Sequence, residues 1–163
     1  MTGLDKARAL AIATPAALLA GAYGSEIWGG LYPCEMCWWQ RYAHLAALAL
    51  ALLSLVLRSA PDRGRSFVWL AALAILTSGG IGAYHAGVEA GVFEGFTTCT
   101  STGTAGLSGE ELLKEIMARP IVRCDEIQFS FLGISMAGWN AILSIAAALS
   151  VLWLSLRRPR TPA

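Results

Sequence analysis

Five side chains in this 163-residue sequence stand out for their chemistry: Cys34, Cys37, Cys99, Cys124 and Arg41. Cys34 and Cys37 form a Cys-x-x-Cys pair in LYPCEMCWWQRYAH, and Arg41 follows four residues after Cys37. A disulfide closing so short a ring removes little entropy from the unfolded chain, so the pair is a poor staple. The spacing is that of a dithiol that is oxidised and reduced in turn. Cys99 and Cys124 read equally well as a structural bridge and as a second exchanging pair. Zinc is the competing use of four cysteines, and it wants two closely spaced ligand pairs. Cys34 and Cys37 fit, but 24 residues lie between Cys99 and Cys124 and no histidine is spaced to help, so no metal is expected.

Pro33 suits the first turn of a helix, because its φ is preset and it has no donor to lose. Cys34 and Cys37 are then expected in or beside that turn, where unpaired N–H groups favour a thiolate. Arg41 shares a helix face with Cys37. It also lies inside an apolar run, where a cation is costly unless it snorkels or has a partner. One reading is a snorkelling anchor beside Trp38, Trp39 and Tyr42. The other is a guanidinium serving an electron acceptor dissolved in the membrane, whose oxygen gains negative charge on reduction.

The elements that must position these groups follow from composition. The chain is 56% hydrophobic and 14% charged, with mean hydropathy +0.57, against roughly a quarter charged in soluble domains. A net charge of +1 offers no basic face for nucleic acid. Four apolar runs, about 9–28, 38–57, 67–88 and 136–156, each approach the ~20 residues that cross a lipid bilayer. None alternates with period two, so a barrel is disfavoured and an all-α four-helix membrane bundle is expected, as one domain over 1–163.

Lys6 and Arg8 precede the first run, Arg58, Arg63 and Arg65 lie between the second and third, and Arg157, Arg158 and Arg160 follow the fourth. The positive-inside rule puts these sites and both termini in the cytoplasm, and segments 29–37 and 89–135 outside. All four cysteines fall in those outer segments, where an oxidising compartment permits disulfides. The first 24 residues also resemble a signal peptide, but the apolar run is longer than usual and is expected to stay as a span.

PCEMCWWQR at the head of the second run, Cys99 and Cys124 in a long second outer loop, and CDEIQFSFLGISMAGWN leading into the last run together resemble the DsbB-type disulfide bond formation proteins. The resemblance covers nearly the whole chain. It implies a bacterial inner-membrane enzyme, a protein-dithiol:quinone oxidoreductase, that reoxidises a periplasmic DsbA-like thiol oxidase and passes electrons to a membrane quinone, ubiquinone or menaquinone. It implies that Cys34 and Cys37 exchange electrons with the quinone, with Cys37 next to the ring. Cys99 would be attacked by the reduced oxidase, and Arg41 would be the arginine of the quinone site. EGFTTCT, 94–100, would be the docking stretch. Gln40 stands where some members have glutamate, and His85 stands one place from a histidine that some members carry near the quinone. His85 is thus either a quinone-site residue or an interfacial histidine bonded to a neighbouring helix. The expected resting pairs are Cys34–Cys37 and Cys99–Cys124.

The energetics suit such a relay. DsbA is a strong oxidant at about −120 mV, and each 30 mV on a two-electron couple is about 1.4 kcal/mol. Reoxidising it needs a strong acceptor, and a lipid-soluble quinone is reached only from within the bilayer. Two other readings remain: an enzyme resembling vitamin K epoxide reductase, whose Cys-x-x-Cys lies on a late span, and a non-enzymatic four-span protein with stapled loops. The remainder reads as scaffold. Ala13, Ala17, Gly21 and Ser25 on the first run, and Gly79, Ala83, Gly87 and Gly91 on the third, are small-residue ridges expected to pack helices. Ser108 and Glu111 form a capping-box pattern before a short amphipathic helix in the second loop.

Overall fold

The computed structural model describes residues 2–95, 108–110 and 122–157. Four helices dominate: α1 (Gly3–Ile27), α2 (Glu35–Val56), α3 (Arg65–Glu89) and α4 (Met136–Leu156). All four are long and apolar enough to cross a membrane, and the chain is a multi-pass membrane protein built as a four-helix bundle. EGFTTCT beyond Gly95, Cys99 within it, and the expected loop helix after Glu110 lie outside the described residues.

Each start has a local cause. Thr2 accepts from the N–H of Asp5, and the Asp5 carboxylate accepts from the N–H of Thr2, a capping box that starts α1 ahead of the apolar run. Lys6 and Arg8 therefore sit on the helix instead of before it, and the buried Arg8 bonds Asp5 and the carbonyl of Arg63. Asp62 accepts from Gly64 and Ser66 and so opens α3. Ser135 caps α4. The expected first outer segment, 29–37, is shorter in the structure, because Glu35, Met36 and Cys37 are already helical. Pro33 precedes the Cys34 cap and stands outside the first turn.

α1 packs on α2 and α4, and α3 packs on the same two, so the helices form a square of antiparallel neighbours. Away from the cysteines the core is small and aliphatic: Ala7, Ala11, Ala47, Ala51, Ala71 and Ile75, among others. Large apolar side chains such as Leu52, Leu73, Ile142 and Leu149 face outward, as lipid permits. The close approach on α3 is made by Gly79 and Gly82. A Cβ on Gly79 would lie 2.9 Å from Ile145, and one on Gly82 2.9 Å from Asn140 Nδ2.

Gly79 of the expected α3 ridge packs as expected, but most of both ridges is corrected. Ala83 is exposed, Gly87 is covered by Phe93 from just past its own helix, and Gly91 lies past the helix. On α1, Ala13, Ala17 and Gly21 point away from the core, whose α1 residues are Leu4, Ala7, Ala11, Pro15 and Leu19. Spacing by four identifies a stripe but not which stripe meets a partner.

Between 122 and α4 lies a small hairpin, β1 (Ser130–Phe131) and β2 (Ile134–Ser135), paired antiparallel. Leu132 and Gly133 have φ of 53° and 76°, the left-handed pair that a two-residue turn of this kind needs. Gln128 donates to the carbonyl of Tyr32 at 2.9 Å and ties this segment to the one before α2.

Candidate functional site

The head of α2 carries the thiols. Cys34 is the cap residue, in extended conformation, and its sulfur accepts from the N–H of Cys37 at 3.4 Å. The cap position, usually filled by Ser, Thr or Asp, is here filled by the thiol itself. The sulfurs of Cys34 and Cys37 lie 3.1 Å apart, within hydrogen-bonding reach of each other. Cys124 comes to the same point. Its side chain hydrogen-bonds that of Cys34, and both are buried, together with Met36 and Val88. The bond to Cys124, then that to Cys37, then burial push the Cys34 thiol well above the ordinary thiol range. The fold thus joins a cysteine of each sequence pair.

Arg41 is buried 5% exposed, and it has a partner. Its guanidinium donates to Glu26 at 2.5 Å and to the carbonyl of Ala22 at 3.0 Å, both on the last turns of α1. The rings of Tyr23 and Trp38 lie 4.6 and 5.1 Å away. The cation is thus held inward by a carboxylate and two π faces, not drawn out to the surface. Trp39 and Tyr42 are exposed at this edge, as are Trp28 and Tyr32. Glu26 was missed in the sequence. Its signal was an acid in the last turn of an apolar run, one short hairpin before the arginine.

Behind the thiols runs a buried chain of hydrogen bonds whose direction two backbone carbonyls fix. Gln40 Nε2 donates to the carbonyl of Met36 at 3.1 Å, so its amide nitrogen is the end that faces His85 Nδ1, also at 3.1 Å. Asn140 Nδ2 donates to the carbonyl of Ser78 at 3.1 Å and to Gln40 Oε1 at 2.7 Å. Asn140 Oδ1 therefore faces His44 Nε2, at 2.9 Å. A carbonyl only accepts, so the order is set: His44 donates to Asn140, Asn140 to Gln40, and Gln40 to His85. His85 then carries its proton on Nε2, which lies 3.6 Å from Cys34 Sγ and 3.8 Å from Glu89; the ring also hydrogen-bonds the backbone of Cys124. His85 is bonded to a neighbouring helix, as one reading expects, and it also borders the thiols and the cavity beside them.

The donor atoms of Cys34, Cys37 and His85 lie within 4.8 Å of one another, which is close enough to hold a metal. The fold supplies the histidine that sequence spacing did not. The direction of the chain works against a metal, since Gln40 occupies the lone pair of Nδ1 and leaves Nε2 protonated.

Next to Cys37 and Arg41 opens a cavity of about 280 Å³. Cys37, Gln40, Arg41 and His44 supply one wall from α2, and Asn140 supplies polar groups from α4. Ala17 and Gly21 of α1 and Phe129 and Phe131 of the hairpin region line its exposed side. The α1 stripe expected to pack helices instead borders this opening. The volume lies just below the ~300–1,000 Å³ usual for ligand sites, and suits a ring headgroup. The wall is mostly apolar with a few convergent polar groups, the usual make-up of a site for a small organic molecule.

The family model of the disulfide bond formation protein DsbB matches residues 5–154. A protein of Rickettsia prowazekii, named only as uncharacterized, is 29% identical over 129 residues, covering 78% of this chain and 73% of its own. Disulfide bond formation protein B of Chromobacterium violaceum is 30% identical over 154 residues, covering 89% of this chain and 91% of its own. No solved structure matches the chain significantly.

Proposed function

This chain belongs to the DsbB family of disulfide bond formation proteins, and on that premise we propose that it reoxidises a soluble periplasmic thiol oxidase of the DsbA kind and delivers the electrons to a quinone in the bacterial inner membrane. Family membership carries the coarser part, a membrane oxidoreductase acting on thiols. The finer part rests chiefly on one observation: Cys37 and Arg41 border a ring-sized, mostly apolar cavity within the membrane-spanning bundle.

The relay runs as follows. The reduced oxidase attacks Cys99, forming a mixed disulfide that its second thiol resolves, which leaves Cys99 and Cys124 as thiols. Cys124, hydrogen-bonded to Cys34, attacks the Cys34–Cys37 disulfide at Cys34. The new bond joins Cys34 to Cys124, and Cys37 leaves as a thiolate beside the cavity. Cys99 then attacks Cys124, which re-forms Cys99–Cys124 and returns the electron pair to Cys34 and Cys37. These two are oxidised to the disulfide as the quinone gains two electrons and two protons. Arg41 stabilises the oxygen that becomes negative, and Glu26 and the two rings hold its guanidinium in place. The cavity's exposed side between α1 and the hairpin admits a ring from the lipid.

The test is trapping with a partner oxidase whose second active-site cysteine has been removed, followed by mapping of the mixed disulfide. We expect it at Cys99 and expect Cys99→Ser to abolish it. Undiminished trapping through Cys124 would reverse the order of attack. Failure of the reduced oxidase to bleach quinone in the protein's presence would overturn the function.

A further inference from the structure

We propose that a groove between the start of α1 and the end of α2 holds one anionic phospholipid, its phosphate on Arg58 and an acyl chain along Ala9, Ile12 and Leu55. The groove lies at the end of the bundle remote from the cysteines and takes no part in the relay.

It has a volume of about 440 Å³ and is lined by Asp5, Arg8, Ala9, Ile12, Leu55 and Arg58. Its chemistry changes along α1. Asp5 and Arg8 stand near the start of the helix, and Ile12 stands one turn further into the apolar run, ~6 Å along the axis from Arg8. Leu55 closes the apolar part from α2, and Arg58 closes the polar part from the short 3₁₀ turn Leu57–Ser59. Ala9 and Arg58 are exposed, so the groove opens outward. A polar mouth at the membrane edge above an apolar floor fits a lipid, headgroup outward and chain inward. A free phosphate would use the mouth alone.

The charges select the headgroup. Among the described residues the acids at this end are Asp5 and Asp62, and both are engaged. The Asp5 carboxylate accepts from the backbone and hydroxyl of Thr2 and from Arg8. Asp62 accepts from Gly64 and Ser66 at the head of α3. Arg58 makes no ion pair among the described residues. Arg58 and Arg63 are near enough to repel the buried Arg8. Three guanidiniums against two occupied carboxylates leave an excess of positive charge, which an anion relieves. Arg8 contributes its field and not a contact, since its guanidinium is buried and bonded to Asp5 and to the carbonyl of Arg63. The ammonium of a zwitterionic lipid would find no free carboxylate here. Basic pockets between spans on the cytoplasmic side suit anionic headgroups, and the expected orientation puts this end in that leaflet.

The test is native mass spectrometry of the purified full-length protein, released from detergent with phosphatidylglycerol or with phosphatidylcholine of the same chains. Wild type should retain one phosphatidylglycerol in preference to phosphatidylcholine. Arg58→Gln should lower that preference about fivefold, the effect of one cation near a lipid headgroup. Ala9→Trp fills the groove from an exposed position, leaves every charge in place, and should lose the bound lipid. Arg65→Gln removes an exposed cation of the same end that does not line the groove, and should keep the lipid. Glycerol phosphate, a headgroup without chains, should not displace the lipid at equal concentration. Equal losses in Arg58→Gln and Arg65→Gln would mean a diffuse basic surface and would overturn the site. Retention by Ala9→Trp would overturn the groove, and displacement by glycerol phosphate would overturn the lipid in favour of a plain anion site. A wild type without preference overturns the proposal before any variant is made. The readout is lipid binding, so none of these results bears on the thiol–quinone reading.

Discussion

Nε2 of His85 lies 3.6 Å from the sulfur of Cys34, across 51 residues of sequence and from a different helix. The contact places a polarised N–H beside the thiol that caps α2. Cys34 in turn touches both Cys37 and Cys124. It is the sulfur at which the two loop systems meet.

In the reduced protein, alkylation of Cys34 should begin only at alkaline pH. The direction follows from the bonds to Cys124 and Cys37 and from burial, which all favour the neutral thiol. A raised value keeps the proton on through neutrality, so reactivity rises late as pH rises. Differential alkylation with mass mapping across pH gives the midpoint. A Cys34 midpoint at or below the ordinary ~8.5 would contradict the geometry.

The Glu26–Arg41 pair should show real coupling. Its carboxylate is partly exposed and its guanidinium is buried. The expected value lies between the ~0–1 kcal/mol of exposed pairs and the ~3–5 kcal/mol lost when a buried pair is broken. About 1–2 kcal/mol is predicted from a double-mutant cycle of Glu26→Gln and Arg41→Met, read by thermal unfolding in detergent. Additive effects would mean that the two charges do not support each other.

Two glycines two residues apart on α3 should respond oppositely. A Cβ on Gly82 would meet Asn140 Nδ2 at 2.9 Å and the carbonyl of Ala137 at 3.0 Å, whereas one on Gly80 meets nothing within 4 Å. Gly82→Ala should cost about 1–3 kcal/mol through overpacking and should slow quinone reduction by displacing Asn140. Gly80→Ala should be neutral or should stabilise by about 0.5–1 kcal/mol. Melting curves and turnover of the two variants check this, and equal behaviour would refute the packing described.

The sequence made the spans legible because lipid demands long apolar helices, and α4 matches its expected bounds, 136–156. It also put Cys34 and Cys37 at a helix start and Arg41 on their face, because those relations are local. What it hid depends on how helices meet. Glu26 reaches Arg41 from α1, and Asn140 of α4 reaches Gln40 and His44 of α2. No periodicity within one helix encodes these contacts, although a histidine and an asparagine inside apolar runs were signals to follow. The zinc reading failed to find its histidine for the same reason, since His85 arrives from α3.

The most direct measurement is quinone reduction by the reduced partner oxidase at several quinone concentrations, comparing wild type with Arg41→Met and Arg41→Lys. Arg41→Met keeps the apolar stem and removes the charge. Quinone affinity should fall and the rate should drop by roughly a hundred- to a thousandfold, corresponding to about 2.7–4 kcal/mol for a lost oxyanion donor. Thiol exchange at Cys99 should be nearly unchanged. Arg41→Lys should recover only part, because an ammonium lacks the planar fork that engages Glu26 and the two rings. Equal rates and equal apparent affinities in all three proteins would show that Arg41 only anchors the helix, and would contradict a quinone site at Cys37.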